Sequence, residues 1–282
     1  MNLYDVKALA YVLHDLTIAQ GALSFLKTTV GGAKKPEGTS LTKAVSALEF
    51  AQKFFQAYDV GKCRQHVQTA AKQWERPLVD VSGAIEILHR LQMDILSELD
   101  SKVFLLVAEG RSEFIDKEDL FGDEVLSAFG AARRDIKEAG NCLAAECNTG
   151  AVFHLMRASE VALRAVAKDR QVMFSNKPVE HQEWGMILGS LEGILKSMRL
   201  SDTQKWKSPL FKEAQVRFYN DVVQELRGFN EAWRRHVAHA DVDAFYDHEQ
   251  AKNVLDHVRN FMQKLATRID ETKTTPLYWE TE

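Results

Sequence analysis

Proline and glycine are scarce, with 5 and 15 residues in a chain of 282. So few breakers argue against a many-stranded sandwich or barrel, whose turns need them, and favour long helices. Cysteine is scarcer still. Cys63, Cys142 and Cys147 are odd in number and lack the C-x2-C spacing of a zinc ligand pair. That argues against a disulfide framework and fits reduced thiols in a core or on a helix surface. Excess positive charge is also missing. The formal net charge is −4, so no overall basic field draws nucleic acid, and any such contact must come from a local patch. The first twenty residues carry Asp5, Lys7, His14 and Asp15 within their apolar pattern. Without a signal-peptide region or a spanning run, the expectation is a cytoplasmic protein with no membrane association. The phosphate-binding G-x-x-x-x-G-K-[ST] and G-x-G-x-x-G, the zinc motif H-E-x-x-H and the G-x-S-x-G elbow are all absent, which removes the commoner enzyme classes.

What is present is apolar periodicity. Hydrophobic residues make up 45% of the chain, enough for a substantial core. Val6, Leu9, Ala10, Leu13 and Leu16, then Ala22, Phe25 and Leu26, predict a helix over residues 4–29. Gly31 to Gly38 is a loop by composition, and Thr39 or Ser40 is placed to cap a second helix through Ala44, Leu48, Ala51, Phe54 and Phe55. Helices over about 60–75 and 79–99 follow on either side of Pro77. The texture then changes. Lys102 to Ala108, Glu-Gly-Arg-Ser and Glu113-Phe114-Ile115 read as a small β-hairpin near 102–115, with a short buried helix as the alternative. This marks a boundary between an N-terminal helical domain (1–100), a hairpin or linker (101–118) and a second helical domain (119–282). In the latter, one helix is expected from Val125 to about Cys147, and others over 151–169 and 184–198. A long one opens at Ser208-Pro209 and runs through Val216, Tyr219, Val222, Val223, Leu226, Phe229 and Trp233, and a last one passes through Ala251, Val254, Leu255, Val258, Phe261, Met262, Leu265 and Ile269. The tail 276–282 reads as extended. The fold class is all-α.

Chemistry concentrates in Glu231-Ala232-Trp233-Arg234-Arg235-His236-Val237-Ala238-His239-Ala240-Asp241, with Asp243 close by. Guanidinium groups match phosphate oxygens, and imidazoles exchange protons near neutral pH. On an ideal helix Arg235 and His239 lie about 40° apart, whereas Arg234 and His239 lie about 140° apart. The plainer alternative is a solvated basic helix end that complements the helix dipole. His236 and His239 lack a clear third ligand, so no metal or other cofactor is expected. The stripe His154, Arg157, Glu160, Arg164 and Lys168 reads mainly as a solvated face, with Glu160 and Arg164 spaced for an ion pair. Phe211, Phe218, Tyr219, Phe229 and Trp233 read as core or a dimer seam.

Arg234 to His239 has the form R-x4-H, followed by Ala-Asp and then a helix beginning near Glu249-Gln250-Ala251. Upstream lies Cys142 to Lys168, around Ala151-Val152-Phe153-His154-Leu155-Met156-Arg157 and Glu160. Together, over roughly 119–270, these resemble the HEPN superfamily, whose ribonuclease members carry R-x4-6-H. The resemblance implies an up-and-down domain of four to five helices that usually dimerises, so that Arg and His of both protomers meet in an interfacial cleft. It implies metal-independent RNA cleavage, in which Arg234 stabilises charge and His239 is the acid/base. Arg235, His236, Arg157 and Glu160 would bind substrate or orient the motif. Arg235 departs from the Asn, Asp or His that often follows the motif arginine. Two functions are therefore expected to compete. One is an endoribonuclease acting on RNA as a toxin or antiviral effector. The other is a non-catalytic HEPN-like module for dimerisation, ligand binding or scaffolding. A homodimer is expected in both, with the N-terminal half open to a protein partner.

Overall fold

The computed structural model describes residues 6–58, 60–75, 79–100, 102, 107–108, 110–175, 177–238 and 245–272. Among these every regular element is helical, and no strand occurs. The chain divides into two compact units, residues 1–105 and 106–282.

The first unit is built from α1 (Val6–Val30), α2 (Gly38–Ala57), α3 (Cys63–Trp74) and α4 (Val81–Asp100). Each helix packs on its sequence neighbour, and α4 closes back on α1. The Val81 and Ser82 amides donate to the Lys34 and Gly32 carbonyls, so the start of α4 meets the end of α1. Further along, Gln92 accepts from Gln20 and donates to Thr17, which makes the two helices antiparallel. Leu9, Val12, Leu16, Ala19 and Leu23 supply the α1 face of the core, against Phe55, Leu88, Leu91 and Ile95. By length and composition α1 could also cross a membrane; here those five side chains are buried in the unit. The start of α2 corrects one expectation. Neither Thr39 nor Ser40 is the cap: the helix begins at Gly38, after Glu37, which gives no side-chain cap bond. Gly38 takes φ +60, a left-handed value that favours glycine, and Ser40 donates instead to the Ala22 carbonyl of α1. At the other end of α2, Arg64 satisfies the Phe55 and Gln56 carbonyls.

The second unit contains α5 (Asp123–Ala128), α6 (Arg133–Ala144), α7 (Asn148–Asp169), α8 (Trp184–Leu200), α9 (Pro209–Phe229), α10 (Arg235–Ala238) and α11 (His248–Ala266). Two expectations are corrected here. The hairpin's second strand is a 3-10 turn, Ser112–Phe114, closed by Phe114 and Ile115 amides donating to Arg111 and Ser112 carbonyls. Phe114 and Ile115 are both buried in this unit's core, and adjacent inward residues are incompatible with the alternation of a half-buried strand. The first strand falls largely on residues 103–106, outside the described residues, as does the tail 276–282. The helix expected from Val125 to Cys147 is broken in two by Phe129 and a 3-10 turn at Gly130–Ala132. Glu271 holds the break open: its amide donates to the Ala128 carbonyl, and its carboxylate accepts from the Ala131 amide.

Helix α7 is the centre of the unit, packed by α6, α8, α9 and α11. Its C-terminal end is fixed by a buried polar network. The Tyr219 hydroxyl of α9 donates to Asp169 at 2.5 Å, and Arg170 donates to the same oxygen at 2.8 Å while its guanidinium lies 4.3 Å from the Tyr219 ring centroid. Burial raises the Tyr219 phenol well above its usual pKa, so it remains a donor throughout the neutral range. Tyr219→Phe leaves a buried carboxylate short of one charge-assisted bond and should cost about 1.5–3 kcal/mol. Urea unfolding should show a lower midpoint with unchanged slope; an unshifted midpoint would mean the bond contributes nothing.

Candidate functional site

The motif helix is well specified. Ser208 accepts from the Phe211 amide at 3.1 Å and Pro209 occupies the first turn, so α9 starts where the sequence places it. It then widens. Asn230–Arg234 is a π turn, in which the Arg235 amide donates to the Asn230 carbonyl, and α10 resumes the α-helical spacing. Such turns are rare and recur at functional positions. Opposite, α11 opens with a complete capping box: the Gln250 amide donates to Asp247, and the Asp247 amide to the Gln250 side chain.

The π turn separates the two arginines. Arg234 turns inward and lies 5.4 Å from the ring centroid of Trp184, a nearly inaccessible side chain at the start of α8. Arg235 and His236 face outward and are exposed. His239, with Asp241 and Asp243, lies outside the described residues. The expected meeting of Arg234 with His239 therefore has no described geometry.

The other expected residues have partners of their own. Arg157 donates through Nε to Asp135 of α6 at 2.8 Å, and His154 Nδ1 lies 2.9 Å from the same carboxylate oxygen. The bond to Asp135 raises the Arg157 guanidinium pKa. Glu160 pairs with Arg164 at 2.6 Å, at the i,i+4 spacing read from sequence. Lys168, last in the stripe, pairs with Glu180. No described contact joins Arg157 or Glu160 to Arg234, Arg235 or His236. Asp135 was not singled out by sequence reasoning, because nothing in a lone aspartate on α6 shows that two residues of α7 converge on it.

A second feature escaped the sequence reading. An open groove of about 510 Å³ lies between α9 and α11, lined in part by Gln224, Glu225, Phe229, Trp233 and His257. His257 Nε2 sits 2.9 Å from a Glu225 carboxylate oxygen. The His257 ring also packs edge-on to Phe229 and Trp233, which stack on each other at 5.3 Å. Glu225 and His257 are 32 positions apart on different helices, so no local spacing signals their pairing. Among the described residues no three His, Cys, Asp or Glu side chains are grouped to hold a metal ion. The chemistry available without one is phosphate binding by Arg235, with proton exchange by a nearby imidazole.

Neither a protein-family model, nor a curated protein, nor a solved structure matches this chain.

Proposed function

We propose that the C-terminal unit is a metal-independent, HEPN-like endoribonuclease in which Arg235, rather than Arg234, meets the scissile phosphate. The observation that carries this is the division of labour between the two arginines. Arg234 is half-buried with its guanidinium 5.4 Å from the Trp184 ring centroid, while Arg235 and His236 are exposed. Arg235 and His239 are four apart, a spacing that shares one face of an α-helix. His239 would take the proton from a ribose 2′-hydroxyl, and Arg235 would stabilise charge on the neighbouring phosphate. A cytoplasmic toxin or antiviral effector, paired as a homodimer through this unit, is the setting that goes with such a reaction.

A second reading has its own support. Three of the six expected site residues, Arg234, Arg157 and Glu160, spend their charge or ring contacts on the unit itself. That favours a non-catalytic module for dimerisation, ligand binding or scaffolding, with a protein partner for the N-terminal unit.

Purified full-length chain incubated with mixed RNA separates the two. The nuclease should cut in EDTA, leave 2′,3′-cyclic phosphate and 5′-hydroxyl ends, and spare DNA. His239→Ala should slow it about 10²–10⁴-fold, and Arg235→Ala about 10²–10³-fold. Arg234→Ala should act mainly on stability. No cutting under any condition, including with cellular extract added, would leave the scaffold reading in its place.

Light scattering at micromolar concentration should report a dimer. If the site is shared between protomers, mixing His239→Ala with Arg235→Ala chains should restore part of the activity that each lacks. A monomer that cuts at full rate would remove the shared site.

A further inference from the structure

The turn between α6 and α7 carries two of the three thiols, and its backbone brings them together. Helix α6 ends in a Schellman motif. Glu146 takes the left-handed φ of +60, the Cys147 amide donates to the Cys142 carbonyl at 2.8 Å, and the Glu146 amide donates to the Leu143 carbonyl at 3.3 Å. This 6→1 and 5→2 pair places Cys142 and Cys147 at the two positions whose side chains touch across the motif. Apolar side chains commonly make that contact; here both are cysteines. The single hydrogen bond spanning their backbones holds the Cα atoms within the roughly 7 Å that a disulfide tolerates.

Gly150 gives an independent measure of the same closeness. A Cβ added there would stand 3.3 Å from Cys142 Sγ and 3.9 Å from Cys147 Cβ. Both side chains thus border one small space, which the glycine leaves open. The neighbouring Cys147 also contributes, after burial, to raising the Cys142 thiol. The two differ in access: Cys147 is exposed and Cys142 half-buried.

We propose that Cys142 and Cys147 form a redox-reactive dithiol, which hydrogen peroxide oxidises to an intrachain disulfide. The exposed Cys147 sulfur attacks the peroxide O–O bond, becomes a sulfenic acid, and releases water. Cys142 then attacks that sulfur and displaces the second water as the S–S bond forms. Two thiols lose two electrons and two protons, and one hydrogen peroxide becomes two waters. The bond clamps the turn that joins α6 to α7. Cys63 is the internal control, being buried in the other unit with its thiol pushed up to about 11, chiefly by that burial.

The test treats the full chain with hydrogen peroxide, removes the peroxide, unfolds the chain in denaturant with iodoacetamide to block every free thiol, and digests with trypsin. Both cysteines fall in one tryptic peptide, residues 138–157. That peptide should appear two hydrogens lighter and unalkylated, revert with dithiothreitol, and leave Cys63 alkylated. In Cys142→Ser, Cys147 should persist as a sulfenic acid that dimedone traps. In Cys147→Ser, Cys142 should stay free to alkylate. Separate sulfinic or sulfonic acids without the linked peptide would overturn the proposal, as would a Cys147–Cys147 dimer on a non-reducing gel.

Discussion

How closely the second unit's helices approach α7 governs the rest of its structure. Ala151, Ala158, Ala162, Ala165 and Ala167 are all buried on this one helix. A methyl side chain allows neighbouring axes to come near the short end of the usual 8–10 Å range. Four helices pack around α7, and larger residues, among them Leu155, Met156, Leu163 and Val166, are buried beside the alanines. A helix so enclosed has only a narrow strip left for polar side chains. That strip is His154, Arg157, Glu160, Arg164 and Lys168, and its described ion pairs run to α6, within α7 itself, and to Glu180 before α8.

The polar contacts of this unit are unequal in worth. Lys137 with Asp116 and Lys168 with Glu180 sit in or near solvent, where screening and side-chain entropy leave an ion pair little net value. Asp169 and Arg170 are different, because both are almost wholly buried. A buried pair repays its desolvation only when its remaining hydrogen-bonding capacity is met. Tyr219 provides a second donor to Asp169, and its ring lies against the Arg170 guanidinium. The position helps as well, since a cation at the end of α7 complements the partial negative charge of the last carbonyls. One network thus ends α7 and ties it to α9, the helix that leads into the Arg/His segment.

Helices with clean three-to-four-residue periodicity were legible in sequence because burial alone sets their pattern. This holds for α7, for α9 with its Ser208-Pro209 start, and for α11. Breaks were not legible where their cause is distant in the chain. Ala128-Phe129-Gly130-Ala131-Ala132 is compatible with continuous helix, and the groups that hold it open belong to Glu271. The hairpin expectation failed at Phe114 and Ile115 for a related reason. A β-rich composition does not reveal whether adjacent residues face opposite ways or both face inward. At the candidate site, the Glu160–Arg164 pair followed from helical spacing, which is local. Asp135 beneath His154 and Arg157, Trp184 beneath Arg234, and Glu225 beside His257 depend on which helices become neighbours, and no spacing within one helix encodes that.

The two arginines show how far local arithmetic can mislead. On an uninterrupted α-helix, five residues turn the chain by about 140° relative to its starting direction. Arg234, five positions after the buried Phe229, would then point away from the core. A turn closed by an i→i+5 bond brings the fifth residue back over the first, and such a turn occupies Asn230–Arg234. Phe229 is buried against Phe261, and Arg234, half-buried, lies over the Trp184 ring. Arg235 and His236 follow in α-helical spacing and remain outside. Inserting or removing a single residue's worth of rotation exchanges the arginine held by the fold for the one offered to solvent. Residue types alone therefore do not tell which arginine the fold holds; the π turn closed by the Arg235 amide on the Asn230 carbonyl accompanies Arg234 lying over Trp184 and Arg235 standing in solvent.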